Sequence, residues 1–397
     1  MATIKKAKVL AEPRPEGLKS VGVILEYDSP VKYTEKDFIV EGRDVLAAEA
    51  DGCKVTLTLN DCDEALMTYK LNRDGVEVFE GPRGPKKSSE EEKKDAAEKV
   101  KKGPPQDGRY TAIRPQYMKV TAPEGAVYAD SYRCPLMERF EKKESHGIEY
   151  LLYVPENYDP SVSYPMVMFI ADANGVAKDP FVSLAIGIGG SVWATPESQK
   201  EHPCFVLIPS FRPDEILTHD DFTYHPILEQ VGPLIEEVAD QYSIDRNRIY
   251  GTGESMGCMS NCQLDILYPD LFAAQILVAG QWDPVKCGPV MKDKPLWIMV
   301  SSGDMKAHPG MDAITAAIEE NGGKVGRYEW DAKAVDQWDG YVADALKDDV
   351  SCRYVVFKGN SVIPEGMPDH PGSHHVCTWR VAYQIKGVRD WLFSVHK

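Results

Sequence analysis

The sequence contains no uninterrupted apolar run of 18 residues, so no segment reads as a membrane-spanning helix. Nor does it hold a C-x-x-C pair. Its nine cysteines are scattered, the closest being Cys258 and Cys262, four apart on an expected helix. That spacing argues against a zinc ribbon or a dithiol redox motif and reads as reduced, mostly buried thiols. Met1 to Gly17 is charged and broken by prolines, without the apolar stretch of a secretory leader. As the sequence stands the expectation is a cytoplasmic protein, secreted only if a leader had been removed. Basic residues are in short supply: 45 Lys and Arg face 62 Asp and Glu, a net charge of −17. Such a chain repels polyanions, so neither nucleic acid nor an anionic membrane is an expected partner. The deficit is local. Residues 1–122 hold 22 basic against 22 acidic residues, and residues 123–397 hold 23 against 40. Apolar residues are not scarce: they make up 43% of 397 residues, enough for two domains with real cores.

The two halves differ in periodicity. Val21–Tyr27 and Lys54–Leu59 alternate apolar and polar residues, as half-buried strands do, and Tyr110–Ile113 and Gln116–Thr121 look similar. With no amphipathic helix among them, residues 1–122 are expected to form a small all-β sandwich. A charged stretch, 82–106, reads as a solvated insertion between two of its strands. From residue 123 to 397 strands alternate with helices. Ile148–Val154, Met166–Ala171, Phe205–Pro209, Arg248–Gly251, Ala273–Ala279, Leu296–Ser301 and Cys352–Phe357 are the expected strands. Leu228–Tyr242, Met256–Leu267, Ala313–Asn321 and Val381–Phe393 are the expected helices. This is the pattern of an α/β domain with a doubly wound, mainly parallel sheet, whose ligand sites lie at the carboxyl ends of strands.

Gly253-Glu254-Ser255-Met256-Gly257 matches G-x-S-x-G between a short strand and a helix. A serine on such a turn presents its hydroxyl, the glycines let strand and helix approach, and the helix N-terminus favours a developing oxyanion. The plain alternative is an N-capping serine. A serine hydroxyl needs a base, and the base an orienting acid, expected in the order Ser, acid, His. Asp304, in the loop after Leu296–Ser301, is the preferred acid. Asp293 precedes that strand and Asp312 falls in the next helix. The base is expected in the Pro/Gly-rich loop before the last helix, at His374 or His375, which the residues alone do not separate. Asp369, His370, His374 and His375 lack a partner cluster at zinc spacing, so no metal is expected, and no cofactor. Gly187-Ile188-Gly189-Gly190 lacks a preceding strand and is not a nucleotide loop. Backbone N–H groups of Met256 and of the loop Asp172-Ala173-Asn174-Gly175 are the candidate oxyanion donors. Glu254, Gln281, Trp282, Trp193 and His374 are candidate substrate contacts.

Ile244-Asp245-Arg246-Asn247-Arg248-Ile249-Tyr250 running into the serine motif resembles the α/β-hydrolase esterases that carry an N-terminal immunoglobulin-like domain. This group is related to the polyhydroxybutyrate-depolymerase and feruloyl-esterase-like families. Tyr153-Val154-Pro155-Glu156-Asn157-Tyr158 with Tyr164-Pro165, and His375-Val376-Cys377-Thr378-Trp379 leading to Tyr383 and Trp391, carry the same resemblance. It implies an α/β-hydrolase domain at 123–397, an immunoglobulin-like domain at 1–122 and a serine esterase using Ser255, Asp304 and His375. It thereby selects His375 over His374. Two departures stand out. The histidine common after the oxyanion strand is absent from Ala171-Asp172-Ala173-Asn174-Gly175, and Cys258 replaces a frequent second glycine.

The expected substrate is a small or medium, neutral or aromatic ester, cleaved through an acyl-enzyme. One alternative is a peptidase of the oligopeptidase type, though about 120 residues of β-structure cannot supply a propeller. Another is a non-catalytic binding protein on a hydrolase scaffold. The N-terminal domain has no run of exposed aromatics suited to a sugar, which favours a homo-oligomer interface or a cleft wall.

Overall fold

The computed structural model describes residues 2–62, 69–71, 77–79 and 112–397. These form two compact units, one reaching Arg139 and the other running from Phe140 to the end of the chain, apart from Ala185–Gly187. The charged stretch 82–106 lies outside the described residues.

The first unit contains strands β1 (Ile4–Arg14), β2 (Gly17–Tyr27), β3 (Ile39–Val40), β4 (Val45–Asp51), β5 (Lys54–Leu59), β6 (Tyr69–Leu71), β7 (Glu77–Phe79), β8 (Ala112–Arg114), β9 (Met118–Ala122), β10 (Gly125–Ala129) and β11 (Tyr132–Arg133). One sheet has the order β11-β1-β2-β5-β4, a second β10-β9-β3 and a third β7-β6-β8. Pairing is antiparallel except between β1 and β11. Val9, Val23, Leu25, Val55 and Leu57 of the first sheet share one core with Val40, Met118 and Val120 of the second. The alternation expected of Val21–Tyr27 and Lys54–Leu59 corresponds to β2 and β5. Strand β1 was not expected. Its alternate residues Ala7, Val9 and Ala11 are buried between lysines and Glu12, and small alanines mute a period-two signal. Residue 123, the expected boundary, falls inside the β9–β10 hairpin, and the first unit extends to Arg139.

The second unit is built on strands β12 (Phe140–Ser145), β13 (Ile148–Tyr153), β14 (Tyr164–Ile170), β15 (Phe205–Ser210), β16 (Ile244–Glu254), β17 (Ala274–Val278), β18 (Leu296–Ser301), β19 (Val325–Trp330) and β20 (Cys352–Phe357). Their order is β12-β13-β15-β14-β16-β17-β18-β20-β19. From β15 to β19 all neighbours are parallel, and β12 and β13 join antiparallel. The helices are α1 (Val182–Ala185), α2 (Pro196–Glu201), α3 (Val231–Gln241), α4 (Met256–Leu267), α5 (Pro284–Met291), α6 (Ala307–Glu320), α7 (Trp338–Ala345), α8 (Pro371–Ala382) and α9 (Lys386–Ser394).

Every residue of β14 is buried, because this central strand is covered on both faces. Met166, Met168 and Ile170 enter one core with Val231, Leu234, Ile235 and Val238 of α3. Phe169, pointing the other way, meets the ring of Tyr383 edge-on at 6.0 Å. On that second face Trp391 of α9 packs on Trp297 at 5.4 Å. The chain winds outward from β14 to β15, then returns to the other side of β14 as β16. The winding therefore reverses between β14 and β16, which opens a crevice at the carboxyl ends of those two strands.

The expected helix Val381–Phe393 is replaced by two helices, α8 and α9, and the expected loop holding His374 and His375 is the start of α8. Pro371 occupies the first turn, where its missing N–H costs nothing, and His370 caps the end with Nδ1 accepting from Ser373 N at 3.2 Å. The expected helix from Leu228 begins as a 3-10 turn, Pro226–Gln230, before α3.

Candidate active site

Strand β16 ends at Glu254 and α4 begins at Met256, so Ser255 alone makes the turn. It does so with φ 51° and ψ −116°, outside the regions a β-carbon favours. Such a residue stores about 1–3 kcal/mol and persists only where its surroundings impose it. The surroundings here are backbone. A β-carbon on Gly257 would lie 1.8 Å from Ile170 O and 2.8 Å from Ala171 O. One on Gly253 would lie 2.6 Å from the Gly257 carbonyl. The two glycines let the first turn of α4 sit against the end of β14. This brings the Asp172–Gly175 loop beside the N-terminus that carries Met256.

Ser255 Oγ lies 2.8 Å from His375 Nε2. His375 Nδ1 lies 2.5 Å from Asp304 Oδ2. Asp304 has its other oxygen occupied, Oδ1 accepting from Lys306 N at 3.1 Å and Ala307 N at 3.0 Å. It is 3% exposed. Burial alone would push its carboxyl up, but the hydrogen bond and charge of His375 and the two backbone donors outweigh that and hold it below the ordinary value. The ring of Trp379, one turn along α8, stands edge-on to His375 at 5.2 Å and limits its rotation.

Asp172 caps the short turn Ala173–Gly175, its carboxylate accepting from Asn174 N at 3.2 Å and Asn174 Nδ2 at 2.5 Å. The Asn174 amide is thus turned inward, which leaves the N–H of Ala173 as the better candidate donor of that loop, opposite Met256.

The remaining sequence candidates separate. Glu254 does not face a ligand space: it is 1% exposed, Oε2 has no hydrogen-bond partner, and burial followed by the charge of Asp172 pushes its carboxyl well above the ordinary value. Trp193 is fully buried, its Nε1 donating to Gly189 O at 2.7 Å and its ring packing on Phe393; it fills core rather than lining a pocket. Trp282 is buried with Nε1 donating to Gln263 Oε1 at 3.0 Å. His374, also buried, turns away from Ser255 and lies 2.8 Å from both Ser301 Oγ and Asp369 Oδ1. Trp193, Trp282 and His374 are buried with their polar atoms satisfied by internal partners. Gln281 stays partly exposed and donates to Asp220 Oδ1 at 2.7 Å. Cys258 is buried beneath the turn, where a β-carbon on Gly280 would touch it at 2.6 Å.

A segment that sequence reasoning missed joins this group. Thr218 bridges Tyr224 to close a small hairpin, and Thr218 Oγ1 donates to Met256 O at 3.2 Å. Asp220 at its tip pairs with Lys306, two residues beyond Asp304, and with Gln281. Phe222, at φ 63° and 39% exposed, stands edge-on to Trp282 at 5.8 Å. Nothing local in His219–Thr223 signals this role, since its anchors, Met256, Gln281 and Lys306, lie far away in sequence.

No protein-family model matches this sequence, and no curated protein matches it. Among solved structures the chain is similar to a thermostable esterase, at 21% identity and a TM-score of 0.71, covering 99% of this chain and 100% of that one. The chain has the α/β-hydrolase fold. Weaker likenesses include a feruloyl esterase module from Clostridium thermocellum complexed with sinapinate, 14% identical with a TM-score of 0.38, covering 62% of this chain and 87% of that one. A ferulic acid esterase is 12% identical with a TM-score of 0.40, covering 64% and 98%. Among the described residues, no helix is long and apolar enough to cross a membrane.

Proposed function

We propose that this chain is a serine carboxylic-ester hydrolase. The observation that carries the reading is the continuous line Ser255 Oγ, His375 Nε2, His375 Nδ1, Asp304 Oδ2, with links of 2.8 and 2.5 Å. In the resting state Ser255 donates to Nε2 and Nδ1–H donates to the carboxylate. As Ser255 Oγ attacks the ester carbonyl carbon, its proton passes to His375 Nε2, and Asp304 stabilises the imidazolium. The N–H groups of Met256 and Ala173 receive the oxyanion, aided by the N-terminus of α4. Collapse of the tetrahedral species expels the alcohol, which takes the proton from Nε2. Water then attacks the acyl-enzyme by the reverse route, releasing the acid and restoring Ser255.

The substrate reading is a small or medium, neutral or aromatic ester, supported by the exposed ring of Phe222 and by the acidity of this half of the chain. For the first unit we propose an immunoglobulin-like sandwich that serves as an oligomer contact, since Ile39 and Tyr128 expose apolar surface on the outer face of the β10-β9-β3 sheet. A monomer by light scattering would count against that role.

The test of the catalytic reading is Ser255→Ala on p-nitrophenyl acetate and butyrate. A loss of kcat of about 10³-fold or more is expected. Activity near wild type would overturn it.

A further inference from the structure

Two adjacent histidines of α8 address the same four-residue turn and do so from opposite sides. The turn is Ser301–Asp304, closed by Asp304 N donating to Ser301 O at 3.0 Å. His375 takes its fourth residue, Asp304. His374 takes the first, with Nδ1 at 2.8 Å from the buried hydroxyl of Ser301. It also lies flat against the third, because a β-carbon on Gly303 would fall 2.2 Å from His374 Nε2. Its outer nitrogen is held in turn: Nε2 lies 2.8 Å from Asp369 Oδ1, on the segment leading into α8. Asp369 offers only acceptors, so Nε2–H donates to it, and in the neutral ring Nδ1 accepts from Ser301 O–H. His374 is 5% exposed, and nothing in the proposed reaction uses it.

We infer that His374 is a positioning residue: by pinning the Ser301–Asp304 turn to α8, the helix that carries His375, it sets the distance and direction of Asp304 toward His375. The inference rests on the esterase reading for its kinetic consequence but not for its geometry. Asp304 reaches its place through a turn beyond the end of β18, whereas His375 comes from a helix more than 60 residues later. Without a clamp the two could drift independently. A displacement of about 1 Å in such a pair costs roughly 10²-fold in rate, and loss of an outer hydrogen-bonding partner about 10–100-fold. The sequence requirement is compact: a glycine immediately before the acid, a hydroxyl three before it and a histidine immediately before the base.

The experiment compares Ser301→Ala, His374→Phe and His374→Asn in the full chain. Ser301→Ala removes one hydroxyl from a buried strand end and leaves the fold intact; His374→Asn keeps a group that reaches Ser301. Two readouts are taken: kcat and KM on p-nitrophenyl acetate, and the low-field proton resonance of His375 Nδ1–H, assigned by its loss in Asp304→Asn. Ser301→Ala and His374→Phe are expected to lower kcat about 10- to 100-fold with KM within two-fold, and to shift or broaden the resonance. His374→Asn is expected to recover part of both. A Ser301→Ala enzyme with kcat within two-fold of wild type and an unmoved resonance would overturn the inference. If wild type hydrolyses neither p-nitrophenyl acetate nor p-nitrophenyl butyrate, the esterase reading fails, and the resonance still decides whether His374 holds Asp304 in place.

Discussion

Asp304 and Glu254 are two buried carboxyl groups of the same unit with opposite fates, and the difference lies in what each touches. Asp304 accepts from an imidazole and two backbone amides, so it keeps its charge. Asp304→Asn would retain the shape and lose the charge, presenting the wrong partner to His375 Nδ1. It is expected to lower kcat roughly 10³- to 10⁴-fold on p-nitrophenyl acetate near pH 7.5, with little change in KM. Glu254 has an unpartnered oxygen and the charge of Asp172 against it, so the folded protein holds it protonated well above the ordinary carboxylate range. The unfolded chain ionises it above about pH 4.3. Between that pH and the raised folded value, the unfolded state binds fewer protons, so this group's contribution makes stability fall as pH rises. Glu254→Gln removes the dependence. Its melting temperature is expected to lie nearest that of wild type around pH 4 and to gain on it as the pH is raised above that. A difference that stays constant with pH would refute this. At this scale the order and loop positions of Ser255, Asp304 and His375 are visible in one dimension, and the three side chains lie within hydrogen-bonding reach of one another. Sequence reasoning misread Trp193, Trp282 and His374, because whether a polar-tipped ring faces a cleft or finds an internal partner depends on contacts such as Gly189 O, Gln263 and Ser301.

The elements divide in the same way. β18, β20 and α4 have the bounds expected of them, because apolar runs buried on two faces and a helix entered from a glycine turn are local signals. The first turns of α8 read as a loop in sequence, because proline and glycine count as loop residues unless Pro371 is known to stand in a first turn. β1 was missed because alanine marks a buried face weakly. The strand–turn–helix at Ser255 makes a sharper demand. Gly257→Ala would drive a β-carbon into the backbone carbonyl of Ile170, which cannot rotate aside. The expected outcome is insoluble protein, or a shifted α4 whose Ser255 no longer reacts with a fluorophosphonate probe. Gly340→Ala is the contrast. Gly340 lies in α7, is exposed, and a β-carbon there meets nothing within 4 Å. Alanine is expected to stabilise the protein by about 0.5–1 kcal/mol in urea titration, with esterase activity unchanged.

The charge of the molecule belongs to one of its units. Residues 140–397 hold 21 Lys and Arg against 37 Asp and Glu, a net −16 out of −17 for the whole chain. Near Ser255 the carboxylates of Asp304 and Asp369 lie against the imidazoles of His375 and His374, and Lys306 is paired with Asp220. A field of this sign lowers the local concentration of an anionic ester and leaves a neutral one unaffected, and salt screens it over about 10 Å at 0.1 M. The p-nitrophenyl monoester of succinic acid carries one carboxylate close to the size of butyrate, which makes the two a matched pair. At 20 mM NaCl, kcat/KM for the succinyl ester is expected to fall several-fold below that of the butyrate. From 20 to 500 mM NaCl the succinyl value is expected to rise several-fold while the butyrate value stays within two-fold. Equal salt dependence of the two would mean that the net charge does not reach the site. A succinyl ester preferred at low salt would mean that Lys306, released from Asp220, serves as a carboxylate anchor instead of a surface ion pair.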